Sequence, residues 1–75
     1  MFTLRDLKRG ESARVSGCRG EGAIFQRLCE LGFVPGTRVR VVGFAPFGDP
    51  MAVEVDRVHL SLRKAEAALV TVDPS

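Results

Sequence analysis

Residues 51–62 read MAVEVDRVHLSL. Met51, Val53 and Val55 alternate with Ala52 and Glu54; after Asp56-Arg57 the alternation resumes, with Val58, Leu60 and Leu62 against His59 and Ser61. A period of two marks a strand with one buried and one solvated face. Two such runs joined by a two-residue connection predict an antiparallel hairpin, Met51–Val55 with Val58–Leu62.

The sequence before this hairpin extends the β pattern. Pro46 to Pro50 forms a loop with two prolines and Gly48. A strand is expected from Thr37 to Ala45, with Val39 and Val41 on one face and Arg38 and Arg40 on the other. Val42-Gly43 breaks the alternation and predicts a bulge or a sharp barrel corner. Pro35-Gly36 predicts a type II turn, because Pro sets the first central φ and Gly accepts the positive second one. One further strand, Glu11–Gly17, carries Ala13 and Val15 inward.

Between those strands the period changes. Ile24, Leu28 and Leu31 recur at i, i+4 and i+7 with Phe25 and Cys29 beside them, which predicts a helix over Ala23–Leu31. Gly32 is placed to end it in the left-handed conformation. So short a helix is marginal alone and has to dock on the sheet. After the hairpin, Arg63–Ala67 predicts one helical turn and Leu69–Val72 a closing strand.

The count is about five short strands with one inserted helix. Strands this short, closely punctuated by turns, fit a bent, partly closed barrel, which hides sheet edges best. The fold class is therefore mainly β, and residues 1–75 read as one domain. A chain of this length buries only about 60–65% of its unfolded surface, so most inward apolar residues are committed to one core.

Composition narrows the function. At 45% hydrophobic and 27% charged the chain is globular rather than disordered. The net charge of +2 is spread as Arg14, Arg19, Arg38, Arg40 and Arg57 among acids, which is a mixed surface and not a nucleic-acid stripe. The opening MFTLRDLKRG carries charges where a signal peptide needs an apolar core, and no run reaches the ~20 residues of a membrane span. A cytoplasmic location with reduced thiols is expected, with no direct membrane insertion.

Enzymatic chemistry finds no support. The one histidine, His59, has no acid–base partner placed by sequence, and the Gly17–Gly22 segment matches no phosphate-binding motif. Cys18, Cys29 and His59 are the residues best suited to a transition metal such as iron or zinc. Cys29 lies on the apolar helix face and reads as core. Cys18 and His59 remain the metal candidates, and a site shared between molecules stays open.

Several segments, taken in order, resemble the ferrous iron transport protein A (FeoA) family. They are Leu7-Lys8-Arg9-Gly10, the helix end Gln26 to Phe33, Val34-Pro35-Gly36-Thr37, Ala45-Pro46-Phe47-Gly48-Asp49-Pro50, and Val58 to Ala67. The likeness runs over roughly residues 4–72. It implies an SH3-like barrel related to the C-terminal domain of DtxR-type repressors. It also implies an accessory role in ferrous iron uptake, modulating a membrane ferrous iron transport GTPase by contact. The alternative it leaves is a metal-sensing regulatory domain of the repressor kind. The family pattern requires neither Cys18, Cys29 nor His59.

The same partner role can be sought in the residues. Phe47 sits at a Pro- and Gly-containing loop tip, where it either anchors a partner or folds back on the barrel. A groove between helix and barrel, lined by Phe25, Leu28 and Phe33, is the second expected contact. A monomer or weak homo-oligomer is expected, and nucleic acid is not an expected partner.

Overall fold

The computed structural model describes residues 2–74. Six strands form one antiparallel sheet: β1 Phe2–Thr3, β2 Ser12–Cys18, β3 Arg38–Phe44, β4 Met51–Val55, β5 Val58–Leu62 and β6 Val70–Pro74, in the order β1-β6-β2-β3-β4-β5. A 3₁₀ turn, Leu4–Asp6, follows β1; helix α1 spans Gly22–Glu30 and the single turn α2 spans Lys64–Ala67. The expected class holds, with one strand more than expected. The addition is β1, whose Phe2 and Thr3 pair with Val72 and Thr71. Two residues carry no period, so the sequence could not announce it.

The sheet curls around one core. Ala13 and Val15 of β2, Val39 and Val41 of β3, Met51, Val53 and Val55 of β4, Leu62 of β5, and Val70 and Val72 of β6 all point into it. The hairpin forms in the expected register, Val55 opposite Val58 through Met51 opposite Leu62. The register slips between Val41 and Gly43, the bulge that Val42-Gly43 predicted. A second slip, between Val15 and Gly17 against β6, had no such signal. Both bend the sheet toward closure.

Helix α1 joins β2 to β3 and ends where the sequence placed its end. Gly32 has φ +109°, its N–H donates to the Cys29 carbonyl at 3.0 Å, and the Phe33 N–H donates to the Leu28 carbonyl at 3.1 Å. These two bonds make a Schellman cap, which brings the side chains flanking the turn together. Leu28 and Phe33 are consequently both fully buried in the core. This corrects the expectation that they line an open groove: they are what nails the helix to the barrel. The Val34–Thr37 turn follows, with Gly36 at φ +94° and the Thr37 N–H donating to the Val34 carbonyl, as a type II turn requires.

Two further expectations change. The first half of α1 stands away from the barrel, leaving Ile24 and Phe25 partly uncovered. Val58, expected inward, is 56% exposed because β5 is the edge of the sheet and its turn end has no neighbour strand to cover it.

Candidate partner-binding surface

The loop between β3 and β4 is built as a rigid tip. The Gly48 N–H donates to the Ala45 carbonyl at 2.7 Å, closing a β-turn with Pro46 and Phe47 at its centre. Pro in the first central position and Gly in the last suit such a turn. The Ala45 N–H donates to the Pro50 carbonyl at 2.9 Å and ties the loop base. Phe47, at the turn's apex, is 100% exposed.

α2 holds this loop from the side. The Lys64 N–H donates to Asp49 Oδ1 at 3.0 Å. The Lys64 side chain then folds back across the loop, with Nζ 5.4 Å from the centre of the Phe44 ring. Gly48 has φ +89°, so glycine is needed there for its backbone, whereas a Cβ would lie 3.2 Å from that Nζ, the end of a flexible side chain that can shift by a few tenths of an ångström. An ammonium over an exposed aromatic ring contributes about 0.5–1 kcal/mol. Asp49 and Lys64 both stood in the segments quoted from the sequence, yet nothing in a linear reading joins residues 15 apart.

The contacts continue to α1. The Glu66 carboxylate pairs with the Arg27 guanidinium and accepts the Arg63 N–H at 3.2 Å. Phe25 on α1 and Phe47 on the loop thus belong to elements laced through α2. Of the four residues expected to meet a partner, these two are on the surface, Phe25 at 40% exposure, while Leu28 and Phe33 are not.

The metal candidates are not brought together. Cys18 lies half-buried on β2 opposite Val70, packed against the core. His59 is on the outer face of β5, its Nε2 3.0 Å from Glu54 Oε2, and β3 and β4 separate the two strands. Cys29 is half-buried on α1, and both thiols are free. Among the described residues no three His, Cys, Asp or Glu side chains gather to hold a metal ion. Cys18 and His59 therefore do not fit a closed ligand set within one chain.

On the outer sheet face, Glu54 is shared between His59 and Arg40, whose Nε lies 3.8 Å from Glu54 Oε1. A cleft of about 460 Å³ opens beside them, lined among others by Arg38, Arg40, Asp56 and Arg57. Its charges of both signs interleave, and it concentrates neither. No helix of the described residues is long and apolar enough to cross a membrane.

Comparison with known proteins fits this architecture. The FeoA domain model matches residues 2–74. An Fe(2+) transport protein A/Fe(2+) transporter FeoB fusion protein of Porphyromonas gingivalis is 34% identical over 70 residues, which is 93% of this chain and 8% of that protein. The chain thus spans a small fraction of that relative's length. The solution structure of FeoA from Chlorobium tepidum superposes with a TM-score of 0.90 at 38% identity, covering 97% of this chain and 70% of that one. The crystal structure of Stenotrophomonas maltophilia FeoA, an SH3 domain protein complexed with zinc, gives 0.87 at 40% identity, covering 97% and 91%. A manganese-dependent transcriptional repressor shares the fold at a TM-score of 0.86 and 17% identity, covering 99% of this chain and 41% of that one. The six-stranded curl is thus an SH3-like barrel, and with 73 of its 75 residues inside the family model the chain belongs to the FeoA family.

Proposed function

We propose that this chain is a non-catalytic, cytoplasmic accessory of bacterial ferrous iron uptake, which binds a FeoB-type membrane GTPase and modulates it by direct contact. The observation that carries this reading is the Porphyromonas gingivalis relative, in which a domain similar to this chain is joined covalently to an Fe(2+) transporter. Covalent fusion keeps two modules at high effective concentration, an arrangement suited to partners that otherwise meet by diffusion. The contact is assigned to Phe47 with Phe25. A fully exposed aromatic on a pinned loop has little left to order on binding, which suits an anchor. The test is a binding titration with the purified GTPase. Phe47→Ala is expected to weaken binding at least about tenfold while leaving the fold unchanged. Unaltered binding by both Phe47→Ala and Phe25→Ala would remove these residues from the interface, and no binding by the wild-type chain would remove the partner.

A second reading is favoured by the zinc complex of the Stenotrophomonas maltophilia relative. Here the chain takes up a transition metal, iron or zinc, through Cys18 or His59, with further ligands from another molecule. Zinc titration of the wild type against Cys18→Ser and His59→Ala checks it: saturable uptake lost in either variant supports it, and uptake indifferent to both ends it.

A further inference from the structure

We propose that the open edge of β5 is a docking site for an extended peptide segment of a partner, with alternating apolar residues at its centre and acidic residues at both flanks. The inference concerns a different surface from the Phe47 loop and stands without it.

The geometry starts from the hairpin. β5 pairs with β4 over its whole length, and no described strand lies on its other side. Asp56 and Arg57 have φ +50° and +67°, so the two-residue turn is of the primed type, and Val55 and Val58 are its hydrogen-bonded closing pair. Backbone groups alternate in direction along an antiparallel strand. Val58, Leu60 and Leu62 therefore spend their N–H and C=O groups on β4, and His59 and Ser61 aim theirs outward.

Edges of this kind are usually blunted by proline, by lysine, by a bulge or by an inward charge. β5, Val-His-Leu-Ser-Leu over 58–62, carries none of these, and its register with β4 is unbroken. Its core-side face is also left unfinished: Val58 is 56% exposed and Leu60 is only partly buried. An added strand would cover these side chains and satisfy the four outward groups together.

Charge decides between occupants. A second copy pairing antiparallel over the full strand places Leu60 against Leu60, and Arg57 of each copy opposite Arg63 of the other. That sets two like-charged pairs next to the ends of one short ladder. Asp56 and Lys64 come opposite one another only a step further out, where the Lys64 ammonium is turned to the Phe44 ring, so the nearer arginine pairs disfavour self-association. Both side chains are exposed, and neither joins an ion pair among the described residues. The same two arginines would flank a foreign segment with complementary charge if that segment carried acids at its ends.

The probes are two synthetic peptides of alternating valine and threonine, one flanked by glutamates and one by lysines, titrated into the isotope-labelled full chain. The glutamate-flanked peptide is expected to bind at least about tenfold more tightly. Slowed amide exchange is expected at His59 and Ser61. Ser61→Pro removes an N–H that faces solvent, so it should abolish binding with β4 pairing intact. If that variant fails to fold, Arg57→Glu with Arg63→Glu decides instead, since it must reverse the preference between peptides. Equal binding of the two peptides, binding of neither, or shifts centred away from β5 would overturn the proposal. So would concentration-dependent pairing of the wild type through β5, which would give the edge to a second copy.

Discussion

The Phe33 N–H donates to the Leu28 carbonyl at 3.1 Å, and both side chains are fully buried. One capping bond thus joins the last turn of α1 to the barrel core. Truncating either side chain leaves a cavity beneath the helix. Leu28→Ala is expected to cost about 2–5 kcal/mol and Phe33→Ala about 3–5 kcal/mol, against about 0.5 kcal/mol or less for Phe47→Ala. Urea unfolding of the three variants checks the order.

Gly32 supplies the positive φ of +109° that the cap needs. A Cβ there would meet Val55 Cγ2 at 3.5 Å, an ordinary contact, so the cost of Gly32→Ala is conformational and not steric. It is expected at about 1–2 kcal/mol, visible as a lower thermal midpoint with the hairpin unchanged.

The turn Asp56-Arg57 holds two non-glycine residues at positive φ. Arg57→Gly relieves a left-handed arginine at about 1–2 kcal/mol and gives back about 0.5–1 kcal/mol in unfolded-chain entropy. A net gain of about 0–1.5 kcal/mol is expected, read as a higher denaturant midpoint; a loss would show that the arginine side chain stabilises the turn by other contacts.

Asp49 acts at a distance from the tip it controls. Asp49→Ala removes the acceptor of the Lys64 N–H and is expected to cost about 1 kcal/mol, as the loss of a helix cap does. Faster amide exchange is expected at Lys64 and Gly48, with weaker partner binding although Phe47 itself is intact.

Acid tests the other end of the chain. The Thr3 N–H donates to Asp6 Oδ2 at 2.8 Å, and the Thr3 hydroxyl donates at 3.1 Å. These bonds, the backbone one first, hold the Asp6 carboxyl below its ordinary range. A depressed folded pKa stabilises above the unfolded value, and that stability is lost as pH falls through the folded one. The advantage of wild type over Asp6→Asn should therefore be full near neutral pH, begin to decline near the unfolded value of about pH 4, and vanish only below the lower folded value, as followed by unfolding midpoints across the acid range.

How far the sequence foretold this structure depends on where the signal was local. The hairpin 51–62 was legible to the residue because its alternation is unbroken. Gly32 and the Val42-Gly43 bulge were legible because each marks a backbone conformation. The depth of Leu28 and Phe33 was not, since an apolar helix face reads alike whether it lines a groove or fills a core. Phe47 was legible as a turn residue, but its full exposure was not, since an apex side chain stands out or folds back according to packing made in three dimensions. Cys18 and His59 drew notice as residue types, and the strand order then set them apart.

The last strand in the chain, β6, lies between β1 and β2. During translation, at about 5–20 residues per second, β1 waits without a partner and β2 keeps one raw flank until Val70–Pro74 has left the ribosome tunnel. The sheet therefore cannot close before residues 70–74 emerge, and a nascent chain stalled short of residue 70 is expected to be a target for chaperones and proteases rather than a smaller working copy.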